Sequence, residues 1–300
     1  MRSKPLFLVA LLCVAATSVK AQQQLTMLAT VLDPTTNTPV DTVELGDVRV
    51  SEDGVSGKIL RVEAVNRVVK VQLMIDNGIG IGSENIGELR KGVRGLLEAL
   101  PAGVETTIVT TAPQPRFLVR ATTSREELLR GVDRLAPDTG AGRFVDGLSE
   151  AAQRAQKDKE DTLTVLIMAG TSSGDANVLD RDIQRLIERL ESRPSVVHVL
   201  LFSGSAGRSA TGGLVQTEVG LAVTQMTRGR YENINSMSRY ITLMPELGAE
   251  VAKQVAASTR QFRIVAERPE GKSGNLGRIG LGIAGKLVSN VTLEAAPAKR

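Results

Sequence analysis

The residues best suited to chemistry lie together at Asp76-Asn77-Gly78-Ile79-Gly80, directly after the apolar run Val69–Ile75. The run reads as a buried strand and the loop as its passage into a helix. Ligands of open α/β sheets sit at that carboxyl edge. An acid placed there asks whether a hard divalent cation is held, because such ions take oxygen ligands. Gly78, Gly80 and Gly82 also invite comparison with a dinucleotide loop, whose helix start attracts phosphate. That comparison fails on spacing, since Asn85 stands where the third glycine belongs and the next strand ends on Thr110-Thr111, with no acid for a ribose. The glycine-rich stretch Gly204–Gly213 has no lysine and no phosphate-loop spacing, and reads as a loop.

Other chemistries are thinly supplied. His198 is the single histidine, inside the apolar run Val196–Phe202, where a packed residue is expected and not a general base. Cys13 is the single cysteine. Aromatic residues make up 2% of the chain and tryptophan is absent, which argues against stacking platforms for sugars or single-stranded nucleic acid. No base, thiol or phosphate loop supports an enzyme, so a non-enzymatic protein is expected, with no cofactor.

The start of the chain reads as a secretory signal over residues 1–21. Arg2 and Lys4 precede an apolar run, and Val19-Lys20-Ala21 forms a small-x-small cleavage site. Leu12 before Cys13 does not suit a lipoprotein signal. Of the 37 basic and 33 acidic residues, Arg2, Lys4 and Lys20 belong to this leader, so the exported chain is close to neutral. A nucleic-acid partner gains nothing from that balance, and no later run is long enough for a stable membrane span. The expectation is an exported protein, periplasmic or extracellular.

The elements that must position Asp76 follow from periodicity. Residues 22–68 form a β-rich segment, with strands around Ala29–Asp33, Val48–Ser51 and Lys58–Glu63 and a turn at Glu52-Asp53-Gly54. From residue 69 to 258 strands and helices alternate. Helices are expected over Glu84–Leu100 (capped by Ser83), from Ser124 to Leu135 with a capping box to Glu127, and over Phe144–Ala155, Val178–Leu190, Leu214–Met226 and Ile241–Ser258. Strands are expected over Val104–Thr111, with Arg116–Arg120 as a hairpin partner, and over Thr162–Met168, Val196–Phe202 and Gly229–Ile234. Lys157–Asp161 is a charge run expected at an exposed helix end. Residues 259–300 return to β pattern at Gln261–Ala266, Arg278–Ile283 and Leu287–Leu293, and the two β flanks are expected to pair.

The order of these features, with the pattern Val31-x-Asp33, Thr38-Pro39-Val40 and Val50-Ser51-Glu52-Asp53-Gly54 ahead of the strand ending in Asp76, resembles the secreted bacterial von Willebrand factor type A-related proteins. The resemblance covers nearly the whole exported chain. It implies a Rossmann-like α/β fold, a mostly parallel six-stranded sheet with helices on both faces, here with β-rich N- and C-terminal flanks. It also implies a metal-ion-dependent adhesion site built from Asp-x-Ser-x-Ser, a threonine in a second loop and an aspartate after the fourth strand.

Set on that pattern, Asp76 matches the first aspartate. Gly78 and Gly80 replace the serines, Gly142 of Gly140–Asp146 replaces the threonine, and Ala169-Gly170 replaces the late Asp-Gly. The expected site is therefore degenerate and metal-independent, with Asp76 holding loop amides. The alternative is a divalent-metal-dependent adhesin recruiting rearranged oxygens from Thr139, Ser172, Ser173 or Asp175 beside Asp76. The resemblance also places Asp76, Asn77, Arg143, Asp175 and Arg208 on one edge, a contact face for another protein or an envelope component.

Overall fold

The computed structural model describes residues 23–159, 161–175, 177–204, 213–272 and 274–294. The leader, Cys13 and Arg208 lie outside these residues.

Apolar runs with β-branched residues form the strands of a central sheet. These are β5 (Val68–Ile75), β6 (Glu105–Thr110), β7 (Arg116–Thr122), β8 (Thr162–Thr171), β9 (Ser195–Phe202) and β10 (Tyr231–Ile234). Their order is β10-β9-β8-β5-β6-β7. All pairings are parallel except the β6–β7 hairpin. The sheet is covered on both sides. On one face pack α1 (Ile86–Ala99), α2 (Arg125–Asp133) and α6 (Ser238–Ser258), burying Leu73, Ile75, Leu89, Val93, Ile167 and Leu247. On the other pack α3 (Phe144–Ala155), α4 (Asp180–Glu191) and α5 (Leu214–Thr227), burying Met74, Phe144, Leu148, Leu166, Val199 and Val219. This double cover explains the continuous apolar strands. His198 is packed in β9: its Nδ1 accepts from the Arg230 amide at 3.1 Å, and burial lowers its pKa to about 4.

Three local expectations change. Ser83 does not cap α1; it opens a single 3₁₀ turn, Ser83–Asn85, and makes no side-chain cap bond. At α2 the Ser124 hydroxyl accepts from Glu127 N, but the Glu127 carboxylate turns to the Thr122 hydroxyl, so the capping box is half formed. The charge run at 157–161 is not only a solvated end. Lys70 Nζ reaches Asp158 at 2.6 Å and Glu105 at 3.0 Å, and Asp161 pairs with Arg263.

The two ends of the chain build a second body. β1 (Gln24–Leu32), β4 (Lys58–Val65), β11 (Gln261–Glu267) and β13 (Leu287–Glu294) form a sheet in the order β13-β1-β11-β4, and β2 (Val48–Glu52), β3 (Val55–Ser56) and β12 (Ile279–Ile283) form a smaller one. Met27, Ala29, Val50, Phe262 and Ile264 make its core. A buried fork joins distant segments: Arg268 Nε and Nη2 donate to the two oxygens of Glu52 at 2.9 and 2.6 Å, and Gly277 N donates to the same carboxylate at 2.9 Å. This module meets the α/β body at the amino ends of its strands. There the Thr30 hydroxyl donates to Ala257 O and Arg67 N donates to Ser258 O, both at the C-terminal end of α6.

The fork predicts acid sensitivity. Hydrogen bonding from Arg268, then from Gly277, holds the Glu52 pKa at about 2, below its ordinary 4.5. A depressed carboxylate contributes stability that is complete above the ordinary value and lost as pH falls towards the folded one. Glu52→Gln is expected to lower the urea midpoint at pH 7, with the gap from the wild type closing between pH 4.5 and 2; equal midpoints at pH 7 would contradict this role.

Candidate functional site

The carboxyl edge of the central sheet is built around Asp76. Its amide donates to Ala169 O at 2.8 Å, extending the β5–β8 ladder by one step. The side chain is buried, and both its oxygens are engaged: Oδ1 accepts from Gly78 N at 2.8 Å and Oδ2 from the Thr171 hydroxyl at 2.5 Å. Burial raises the Asp76 pKa above the ordinary carboxylate value, against the opposing pull of these donors. Thr171 also lies 2.7 Å from Ser173 Oγ. A hydroxyl carries one proton, so when Thr171 donates to an ionised Asp76, Ser173 must donate to Thr171. The loops thus form a short polar chain running Ser173 to Thr171 to Asp76.

Thr171 belongs to this site although it is not among the expected site residues. β8 runs three residues beyond the expected end at Met168, and this extension brings the Thr171 hydroxyl within hydrogen-bonding reach of Asp76. The usable signal was the hydroxyl run Thr171-Ser172-Ser173 after a small-residue strand end, a pattern that favours local side-chain to backbone bonding. Such a bond is present from Ser173 N to Thr171 Oγ1 at 3.3 Å.

The glycines at positions 78, 80 and 142 are sterically required here. A Cβ on Gly142 would strike the Asp76 carboxylate, one on Gly80 would strike the hydroxyls of Ser173 and Thr171, and one on Gly78 would strike Gly140 O. The space through which serine and threonine would reach a cation is filled by the residues that satisfy Asp76. One carboxylate and two hydroxyls remain, and among the described residues no three acidic, histidine or cysteine side chains come together as a metal cluster. A divalent ion wants six or more oxygens. The donor set does not fit that ion.

The other expected oxygens are placed elsewhere. Thr139 is exposed. Ser172 donates its amide to Phe202 O at 3.0 Å, and its Cβ side faces Gly213. Asp175 is buried and serves the start of α3: its Oδ2 accepts from Phe144 N at 2.9 Å and from Gln216 Nε2 at 3.3 Å.

The expected contact face is corrected in the same way. Asp76, Asn77 and Asp175 are buried and hold the edge from below, so their side chains are not available to a partner. Asn77 donates to Ala136 O at 2.8 Å and its carbonyl accepts from Asp138 N at 2.7 Å, lacing two loops together. Arg143 is half-exposed, its Nε 3.4 Å from Pro113 O. What the loops present instead is aliphatic: Ile79 is 54% exposed, Leu179 48% and Leu214 60%. Contacts among Gly80, Gly142, Gly174, Gly213 and Ser172–Ser173 join the loops that carry them into one surface.

Asp175 supplies a test of this arrangement. Burial pushes its pKa up to about 6 from 3.8, so ionising it in the folded state costs free energy. The folded protein then binds more protons than the unfolded chain, and stability falls as pH rises from about 4 to about 6. His198 has the opposite sign over an overlapping range, so the difference between variant and wild type isolates Asp175. Asp175→Asn keeps an acceptor for Phe144 N and removes the buried charge. It is expected to stabilise the protein at pH 8 by on the order of 2 kcal/mol, with the gain vanishing below pH 4 in urea titrations. A loss of stability at pH 8 would show that the charge is needed by the α3 terminus.

No protein-family model matches the sequence, and no curated protein matches it. Solved structures do match. The von Willebrand factor type A protein from Catenulispora acidiphila aligns over 82% of this chain and 72% of its own, at 13% identity and TM-score 0.52. Proximal thread matrix protein 1 from the mussel byssus aligns over 64% of this chain and 49% of its own, at 16% identity and TM-score 0.48. BatB from Bacteroides thetaiotaomicron aligns over 62% of this chain and 99% of its own, at 13% identity and TM-score 0.46. With the six-stranded order, the helices on both faces and an acid closing the central strand, the chain has the fold of a von Willebrand factor type A domain, with added β strands at both ends.

Proposed function

We propose that this protein is a non-enzymatic, metal-independent binding module whose carboxyl edge recognises another protein or an envelope component. The observation that carries the reading is the engagement of both Asp76 oxygens by Gly78 and Thr171, under loops that leave Ile79, Leu179 and Leu214 facing solvent. A cation at an adhesion site keeps a coordination position for a partner's carboxylate. With that position filled from within, recognition passes to apolar contact around a polar rim, the usual anatomy of a protein interface. Arg143 and Thr139 supply that rim.

A non-enzymatic role is supported by the state of the titratable groups. His198 is neutral in the core, Asp175 is committed to α3, and Asp76 is closed off by its donors. The reading places the protein outside the cytoplasm, in the periplasm or beyond it, on the strength of the leader-like residues 1–21. Among the described residues no helix is long and apolar enough to cross a membrane.

Capture of partners from an envelope fraction of the source, using the purified protein as bait, tests this. The same protein is expected to be retained with magnesium and with chelator, and to be lost from an Ile79→Asp, Leu214→Asp variant of unchanged melting temperature. Retention confined to the magnesium sample would establish the metal-dependent adhesin instead.

A further inference from the structure

The sheet has a second exposed feature, its lateral edge. β7 is a terminal strand of seven residues, paired to β6 on one side only, so its outer row of amides and carbonyls has no strand partner among the described residues. Its register against β6 slips between the pairs Ile108–Val119 and Val109–Phe117, which inserts Leu118 as a bulge. The bulge re-aims the side chains. Leu118 and Val119 pack into the α1–α2 face, while Phe117 turns to the α3 face and stays 45% exposed. There two guanidinium groups lie against one ring, Arg120 at 4.9 Å and Arg154 at 5.2 Å from its centroid.

The charges on this edge are only partly compensated among the described residues. Arg154 has Glu150 at 3.6 Å and donates to Gln72 at 2.8 Å. Arg116 and Arg120 are exposed, and neither side chain has an acidic partner among the described residues. Arginines on an open edge oppose pairing of two copies, because antiparallel self-pairing sets like charges across from each other. The same charges favour a strand that carries acids at those positions, which is selection by repulsion of the wrong partner and attraction of the right one.

We propose that β7 is a docking edge for an extended acidic segment of a partner protein, added as a seventh strand to the central sheet beside Arg116, Phe117 and Arg120. Main-chain hydrogen bonds supply the attachment and the arginines supply the selection. The site runs along the lateral edge of the sheet, with its Arg116 end level with Thr110 at the carboxyl ends of the parallel strands.

The probe is the seven-residue capped peptide Val-Glu-Glu-Val-Glu-Glu-Val, which sets glutamates on both faces of the added strand as Arg116 and Arg120 require; it is titrated into the full protein and followed by fluorescence anisotropy and amide hydrogen exchange. Binding is expected, with slowed exchange confined to residues 116–122. N-methylation of alternate peptide amides is expected to abolish it. Arg116→Glu with Arg120→Glu is expected to weaken binding by about tenfold and to shift preference to a second peptide in which lysine replaces each glutamate. Absence of binding, indifference to N-methylation, or indifference to charge reversal in a variant of normal melting temperature would each overturn the proposal. The N-methylated peptide needs no variant, so misfolding of the double substitution leaves the test intact.

Discussion

A buried carboxylate must be satisfied, and the way Asp76 is satisfied shapes the whole carboxyl edge. An unpaired charge there would cost several kcal/mol, so either an ion or a set of donors has to face it. Here the donors are Gly78 N and the Thr171 hydroxyl, with Ser173 behind Thr171. That solution draws the loops inwards until no side chain fits at positions 80 and 142. Glycine at those positions and threonine at 171 are therefore parts of one arrangement. Restoring a serine or threonine oxygen at a single position would break the donor set before it rebuilt a cation site.

The rest of the molecule is consistent with keeping that edge fixed and open. The β module formed by the two ends of the chain meets the α/β body at the opposite end, through Thr30, Arg67 and the terminus of α6. Closing the chain ends together through the Glu52–Arg268 fork ties β2 to the segment after β11, so the module is locked by contacts of very long sequence separation. At the carboxyl edge, Asn77 Nδ2 and Asp175 Oδ2 bond to neighbouring loops, and Asp138 Oδ1 braces its own loop through Gly140 N. The surface that remains is preorganised, which reduces the ordering cost of binding.

Most of the architecture was legible in the sequence because it rests on periodicity. The strand before Asp76, the helix at Phe144–Ala155 and the pairing of the β flanks all follow from runs whose burial is read directly from residue type. That positions 78, 80 and 142 carry glycine was legible as well. What surrounds Asp76 beside them was not. Thr171 lies 95 residues from Asp76, and only the β5–β8 register, together with a strand longer than its apolar run, brings the two into contact. Asn77 and Asp175 looked like surface groups because polar loop residues usually are. Their burial comes from loops folding over one another, which spacing along the chain does not encode. The bulge at Leu118 is of the same kind, since it exists only relative to β6.

On the proposed reading, internal hydrogen bonds to Asp76 take the place of a cation. Thermal denaturation of the purified protein during titration with Mg²⁺, Mn²⁺ or Ca²⁺ measures this directly, because any ion that binds the folded state alone must raise the melting temperature. The account predicts a midpoint that does not move with any of the three ions. A dose-dependent rise that disappears in Asp76→Ala would contradict it.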